Sequence, residues 1–82
     1  MKTEIFAEAI LNRFRLTFIY EHQNVTMDPY LIAHNRAGKK VIFGRINRTN
    51  EIRQFEYDKI FNIKTVNNAP FSPIIPILPT VN

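Results

Sequence analysis

The sequence predicts a mainly β (α+β) fold: five short strands forming a small barrel or strongly coiled sheet, with one helix before them and an extended proline-rich tail after them. Three observations predict it. Apolar residues recur at helical spacing only near the N-terminus, from about Glu4 to Arg13. From Leu16 to Val66 the period changes to two and is broken at short intervals by turn residues. Beyond Ala69, prolines return at every third position. This divides the chain into one domain over residues 1–69, helix included, and a tail over residues 70–82.

The helix follows from its wheel. Phe6, Ala7, Ile10, Leu11 and Phe14 fall in one arc, and Glu4, Glu8 and Asn12 in another. Thr3 is the expected N-cap, and Glu4 sits where the helix dipole favours an anion. Leu16, Phe18 and Tyr20 then alternate with Thr17, Ile19 and Glu21, which is a first strand. Glu21-His-Gln-Asn24 makes a turn. Val25 to about His34 continues as a second strand, bent at Pro29, which cannot donate to a sheet ladder. Asn35-Arg-Ala-Gly38 makes the next turn, with Gly38 free to take positive φ.

Lys40 to Ile46 is apolar on both faces, with Val41 and Phe43 on one and Ile42 and Ile46 on the other, so this strand is expected to be central and covered twice. Asn47-Arg-Thr-Asn-Glu51 turns the chain, Ile52 to Phe55 forms a fourth strand, Tyr57-Asp58-Lys59 a single tight turn, and Ile60 to Val66 the fifth strand. The helix stops one side of the assembly.

In the tail, Pro70, Pro73, Pro76 and Pro79 would line one edge of a polyproline II helix, which has three residues per turn. Phe71, Ile74, Ile75, Ile77 and Leu78 lie between them and are too apolar for a free linker. Two readings follow: a ligand for an aromatic-lined groove on another protein, or a strap across this domain or a second copy of it.

Composition narrows the function. At 82 residues with 45% hydrophobic content the chain holds one small core. No apolar run approaches the ~18 residues of a membrane span, and the N-terminus lacks the basic and apolar stretches of a signal peptide, so a cytoplasmic protein with no membrane contact is expected. The absence of cysteine fits that compartment and removes thiol chemistry and thiolate metal sites.

Charge is concentrated. Between Arg36 and Arg53 stand Arg36, Lys39, Lys40, Arg45, Arg48 and Arg53 against Glu51 alone, a net of +5 in a chain whose total is +4. Such a field favours phosphate-bearing or otherwise anionic partners, although basic residues also guard sheet edges. Arginine forks at Arg45, Arg48 and Arg53 suit phosphate, and Tyr20, Tyr30 and Tyr57 offer faces for stacking a base. The same groups also fit edge salt bridges, Arg53 with Glu51 or Glu56, and a Tyr30 half-buried in the core.

Catalysis finds little support. Ser72, the single serine, stands between apolar residues in the tail with no histidine near it. His22 and His34 sit in or beside turns without metal-ligand spacing. Asp28 and Asp58 read as structural, Asp58 as a cap of its turn. Gly38 and Gly44 lack the Lys-Ser/Thr of a phosphate-binding loop. No enzyme, metal or cofactor is expected.

One ordered pattern resembles a known family. A proline-opened strand at Asp28-Pro29-Tyr30-Leu31, a glycine turn at Gly38, the apolar strand Lys40-Val-Ile-Phe-Gly-Arg45, the element Arg53-Gln-Phe-Glu-Tyr-Asp-Lys-Ile60 and a last strand are similar, from about Leu16 to Phe71, to the WYL domain of bacterial regulators. The family's Trp-Tyr-Leu position reads Lys40-Val41-Ile42 here, followed by a small residue matching Gly44. Its Arg-x-Phe-Arg-Leu-Asp-Arg-Ile motif is matched at Arg53, Phe55, Asp58 and Ile60, conservatively at Lys59, with Tyr57 for the aliphatic residue and Glu56 where the family's ligand pocket is basic.

The resemblance implies an Sm-like or SH3-like barrel and a sensor module that binds nucleic acid or a small effector, in this chain without a helix-turn-helix and so acting in trans. The expected binding residues are Arg45, Arg53, Arg48, Tyr30, His34, Lys40 and Lys59. The alternative is a protein-interaction or assembly module, paired with a partner protein or a second copy through its tail and a sheet edge.

Overall fold

A computed structural model of the protein describes residues 2–66. The fold is mainly β, with helix α1 (Lys2–Asn12) followed by strands β1 (Arg15–Tyr20), β2 (Gln23–His34), β3 (Lys40–Ile46), β4 (Ile52–Glu56) and β5 (Ile60–Val66). The strands form one antiparallel sheet in the order β4-β3-β2-β1-β5. A single 3-10 turn, Tyr57–Lys59, joins the two edge strands. The proline-rich tail expected over residues 70–82 lies outside the described residues.

The helix begins earlier than its wheel suggests and is rotated. Thr3 is inside it rather than capping it, and its hydroxyl accepts a hydrogen bond from Lys40 Nζ at 3.1 Å. Phe6 and Ala9 are buried and Ile10 and Phe14 pack beside them, whereas Ala7 is exposed and Leu11 is 81% exposed. Placing small Ala9 rather than Leu11 at the contact lets the helix backbone approach the sheet. The helix ends where Arg13 takes φ 63° and Phe14 N–H donates to the Ala9 carbonyl at 2.8 Å, a C-terminal motif usually built on glycine.

The first hairpin is tighter than expected. Glu21 and His22, at φ 50° and 66°, make a two-residue turn, so β2 starts at Gln23. Both positive φ values fit the primed turns that match strand twist. At the second hairpin Gly38 takes φ 81°, and the Asn35 carboxamide oxygen accepts from the amides of Ala37 and Lys39 at 3.0 and 2.9 Å. Pro29 lies opposite Gly44, and the register shifts by one residue between Pro29 and Leu31, a bulge where the ladder lacks a donor.

β2 is the central strand, and β3 sits one place from the edge. Its two-sided burial is nevertheless observed: Val41 and Ile42, on opposite faces, are both fully buried. The core gathers Phe6, Leu16, Phe18, Met27, Ile42, Phe55 and Ile60. Phe55 receives the edges of Phe18 and Tyr20 at centroid distances of 5.3 and 4.9 Å, which gives one ring the contacts that hold β1 to β4 across the sheet. Gly44 is held to its identity by packing, since a Cβ there would lie 2.3 Å from Met27 Cε and 2.6 Å from the Asp28 carbonyl oxygen.

Candidate anion-binding groove

At the end of the sheet carrying the β1–β2 and β3–β4 turns, the first residues of β2 run past the last residue of β3. This overhang leaves an open groove of about 350 Å³. Val25, Thr26 and Ile46 form part of its lining, together with the amide side chains of Gln23, Asn24 and Asn47 and the guanidinium-bearing Arg48 and Arg53. The β3–β4 turn is anchored by backbone bonds: Asn47 N–H donates to the Thr26 carbonyl at 2.9 Å, and Asn50, at φ 62°, donates to the Ile46 carbonyl at 2.8 Å. These bonds set Arg48 beside β2.

Arg53 lies opposite Gly44 on β4, two residues before Phe55 and therefore on the same face. Its guanidinium stands 5.2 Å from the Phe55 ring centroid, which supports the charge from below. Among the described residues neither Arg48 nor Arg53 has a carboxylate partner, so the salt bridges of Arg53 with Glu51 or Glu56 do not form. Two planar cations and three carboxamides on one open groove can receive a phosphate or carboxylate and hydrogen-bond the polar edges beside it.

Arg45 is placed differently. Its guanidinium donates through Nη2 to Asp28 Oδ2, and Arg15 Nε donates to Oδ1 at 2.7 Å. Asp28 is fully buried and the Arg45 side chain 16% exposed, so Arg45 neutralises an internal carboxylate. Arg15 drew no attention in the sequence because its partner depends on register: Leu16 pairs with Met27, which sets Arg15 beside Asp28.

The other expected binding residues are dispersed. Tyr30 is buried in the bulge, 5% exposed. His34 and Lys40 lie at the opposite end of β2 and β3, where Lys40 stands 5.6 Å from the centre of the Tyr57 ring. Lys59 reaches Glu21 at 3.7 Å and Glu56 at 3.8 Å, beside a shallow depression of about 310 Å³ lined largely by Ile19, His22 and Phe61. Asp58 pairs with Lys39 at 3.4 Å rather than capping its turn. Tyr20 accepts from the Glu56 amide at 3.2 Å and Tyr57 packs edge-on against Phe6, so none of the three tyrosines lines the groove.

Burial pushes the Tyr57 phenol above its usual pKa, with the Thr3 hydroxyl offsetting part of the rise. Among the described residues no group of histidines and carboxylates is arranged to hold a metal ion, and no helix is long and apolar enough to cross a membrane. Gln23, Asn24 and Asn47 were missed in the sequence because turn amides are ordinary there, and only the overhang of β2 past β3 brings them to Arg48 and Arg53. No family model, curated protein or solved structure matches the chain.

Proposed function

We propose that this protein is a non-enzymatic binding module for a phosphate-bearing ligand, a single-stranded nucleic acid or a nucleotide-like effector, held in the Arg48–Arg53 groove. The observation that carries this reading is the pair of arginines that have no carboxylate partner among the described residues, on one open groove of about 350 Å³ flanked by Gln23, Asn24 and Asn47. Among the described residues none that lines the groove is aromatic, so the recognition proposed rests on charge and carboxamide hydrogen bonds.

The architecture proposed is a small Sm/SH3-like barrel of the WYL kind. Support comes from the strand order β4-β3-β2-β1-β5, the bulged long central strand, and a one-turn link that brings β4 and β5 together in the chain. In that setting the module serves bacterial transcription or defence regulation by passing on a ligand-dependent signal.

The test is fluorescence anisotropy of labelled single-stranded DNA, single-stranded RNA and a nucleoside triphosphate across a salt series. Binding that weakens with salt and is lost in Arg48→Ala/Arg53→Ala supports the reading. Absence of binding to all three probes at low salt overturns it.

A further inference from the structure

Phe61, on β5, is 59% exposed, an aromatic ring open to water outside the core cluster. Register fixes what surrounds it. Phe61 pairs with Ile19 on β1, and Ile19 pairs with Asn24 on β2, so the three side chains form one row on one face of the sheet. Two residues back along β1, Thr17 pairs with Lys64 and extends the same face. Leu16 and Phe18 alternate with Thr17 and Ile19 and go to the core, which leaves the row on the outer side.

This row joins the arginine groove to two further depressions. Asn24 lines the groove and also a hollow of about 120 Å³ whose lining includes Thr17, Asn62 and Lys64. Ile19 lines that hollow and also the depression of about 310 Å³ beside Phe61. Shared walls make the three one continuous path. From Arg53 on β4 to Phe61 on β5 it crosses the whole sheet, about 20 Å along it at the usual strand spacing.

The path is positively charged. Among the described residues Lys64 has no carboxylate partner, and Lys2 Nζ lies 5.9 Å from the centre of the Phe61 ring. The carboxylates at the far rim are each matched by a lysine, Glu21 by Lys59 at 3.7 Å and Asp58 by Lys39 at 3.4 Å.

We propose that this path holds a single strand of nucleic acid, with one phosphate at Arg48 and Arg53, a later one at Lys64 and a base stacked on Phe61. The proposal rests on the groove reading and narrows its ligand from a nucleotide to a strand. Length favours the strand, since one nucleotide advances a stacked strand by only about 3.4 Å. Chemistry favours it as well. A strand alternates anionic phosphates with the π-faces of its bases, and the path offers arginine forks, the carboxamides of Asn24 and Asn62, the Lys64 ammonium and then an exposed ring.

The chain has no tryptophan, so Phe61→Trp places a single fluorescent reporter on the path at an exposed position outside the core. The variant is titrated with a short oligouridylate and, separately, with a nucleoside triphosphate, while anisotropy of labelled forms of both reports binding itself. The expected result is quenching of the tryptophan by the oligouridylate and none by the triphosphate, with oligouridylate affinity lower by about tenfold or more in Phe61→Ala/Lys64→Ala. Unchanged emission with the oligouridylate bound, or unchanged affinity in the double variant, would overturn the path and leave the groove reading standing. Quenching by the triphosphate as well would put a single nucleotide on the ring and overturn the strand. No binding of the oligouridylate at low salt would overturn the path, and no binding of the triphosphate either would overturn the groove reading with it.

Discussion

Asp28 and Arg45 face each other directly across β2 and β3, and the carboxylate that Arg45 meets is fully buried. With Arg15 on the other oxygen the three residues form one row across β1, β2 and β3. A charge fixed in this way belongs to the fold before it belongs to any ligand. Removing the carboxylate leaves two partly buried guanidinium groups without compensation, which costs about 3–5 kcal/mol. Asp28→Ala should therefore lower the urea midpoint sharply, and Asp28→Leu/Arg45→Met should recover most of the loss. Arg45→Ala should destabilise the protein.

Gly44→Ala tests a packing constraint with no conformational one behind it. The new methyl would meet both the Met27 side chain and the Asp28 carbonyl oxygen. Overpacking of this kind costs about 1–3 kcal/mol. Met27→Ala in the same chain should not restore stability, because the backbone oxygen stays in place and Met27 itself is core. Thermal unfolding of the two variants checks this.

The Tyr57 phenol gives a pH dependence with a defined sign. Its folded pKa lies above the ordinary value of 10.0, so below that value the group is protonated in both states and contributes nothing. Above it the unfolded chain ionises first, and stability falls as pH rises. Tyr57→Phe should therefore track the parent protein in urea unfolding at neutral pH and become relatively more stable beyond about pH 10.

The β1–β2 turn holds two residues with side chains at positive φ, Glu21 and His22. Replacing His22 by glycine relieves the second and should raise stability by roughly 0.5–1 kcal/mol, read as a higher melting temperature. Lys59 keeps both carboxylate neighbours only while Glu21 is present, so Glu21 is left unchanged in this variant.

The fold was largely legible in the sequence because period and turn chemistry act locally. Gly38, Pro29 and the Tyr57-Asp58-Lys59 turn each do in the structure what their residue types dictate. What escaped was set by tertiary geometry. Leu11 falls in the apolar arc of the wheel and Ala9 outside it, and only the seating of the helix on the sheet selects Ala9. The position of β3 one place from the edge follows from strand order, which alternation does not encode. The groove is the harder case. Arg48 and Arg53 stand out by charge, but Arg45 does so equally, and only the register opposite Asp28 separates it from them.

The most direct test of the central claim compares two charge-matched double substitutions. Arg48→Ala/Arg53→Ala empties the groove, while Arg36→Ala/Lys39→Ala removes the same charge from the β2–β3 turn at the far end of the sheet. Both are measured by anisotropy against labelled single-stranded RNA across a salt series. Weaker binding in the groove variant alone, with a salt slope lower by about 0.7 for each phosphate contact removed, is the expected result. Equal weakening in both variants would mean that net charge rather than the groove holds the ligand, and would contradict the account.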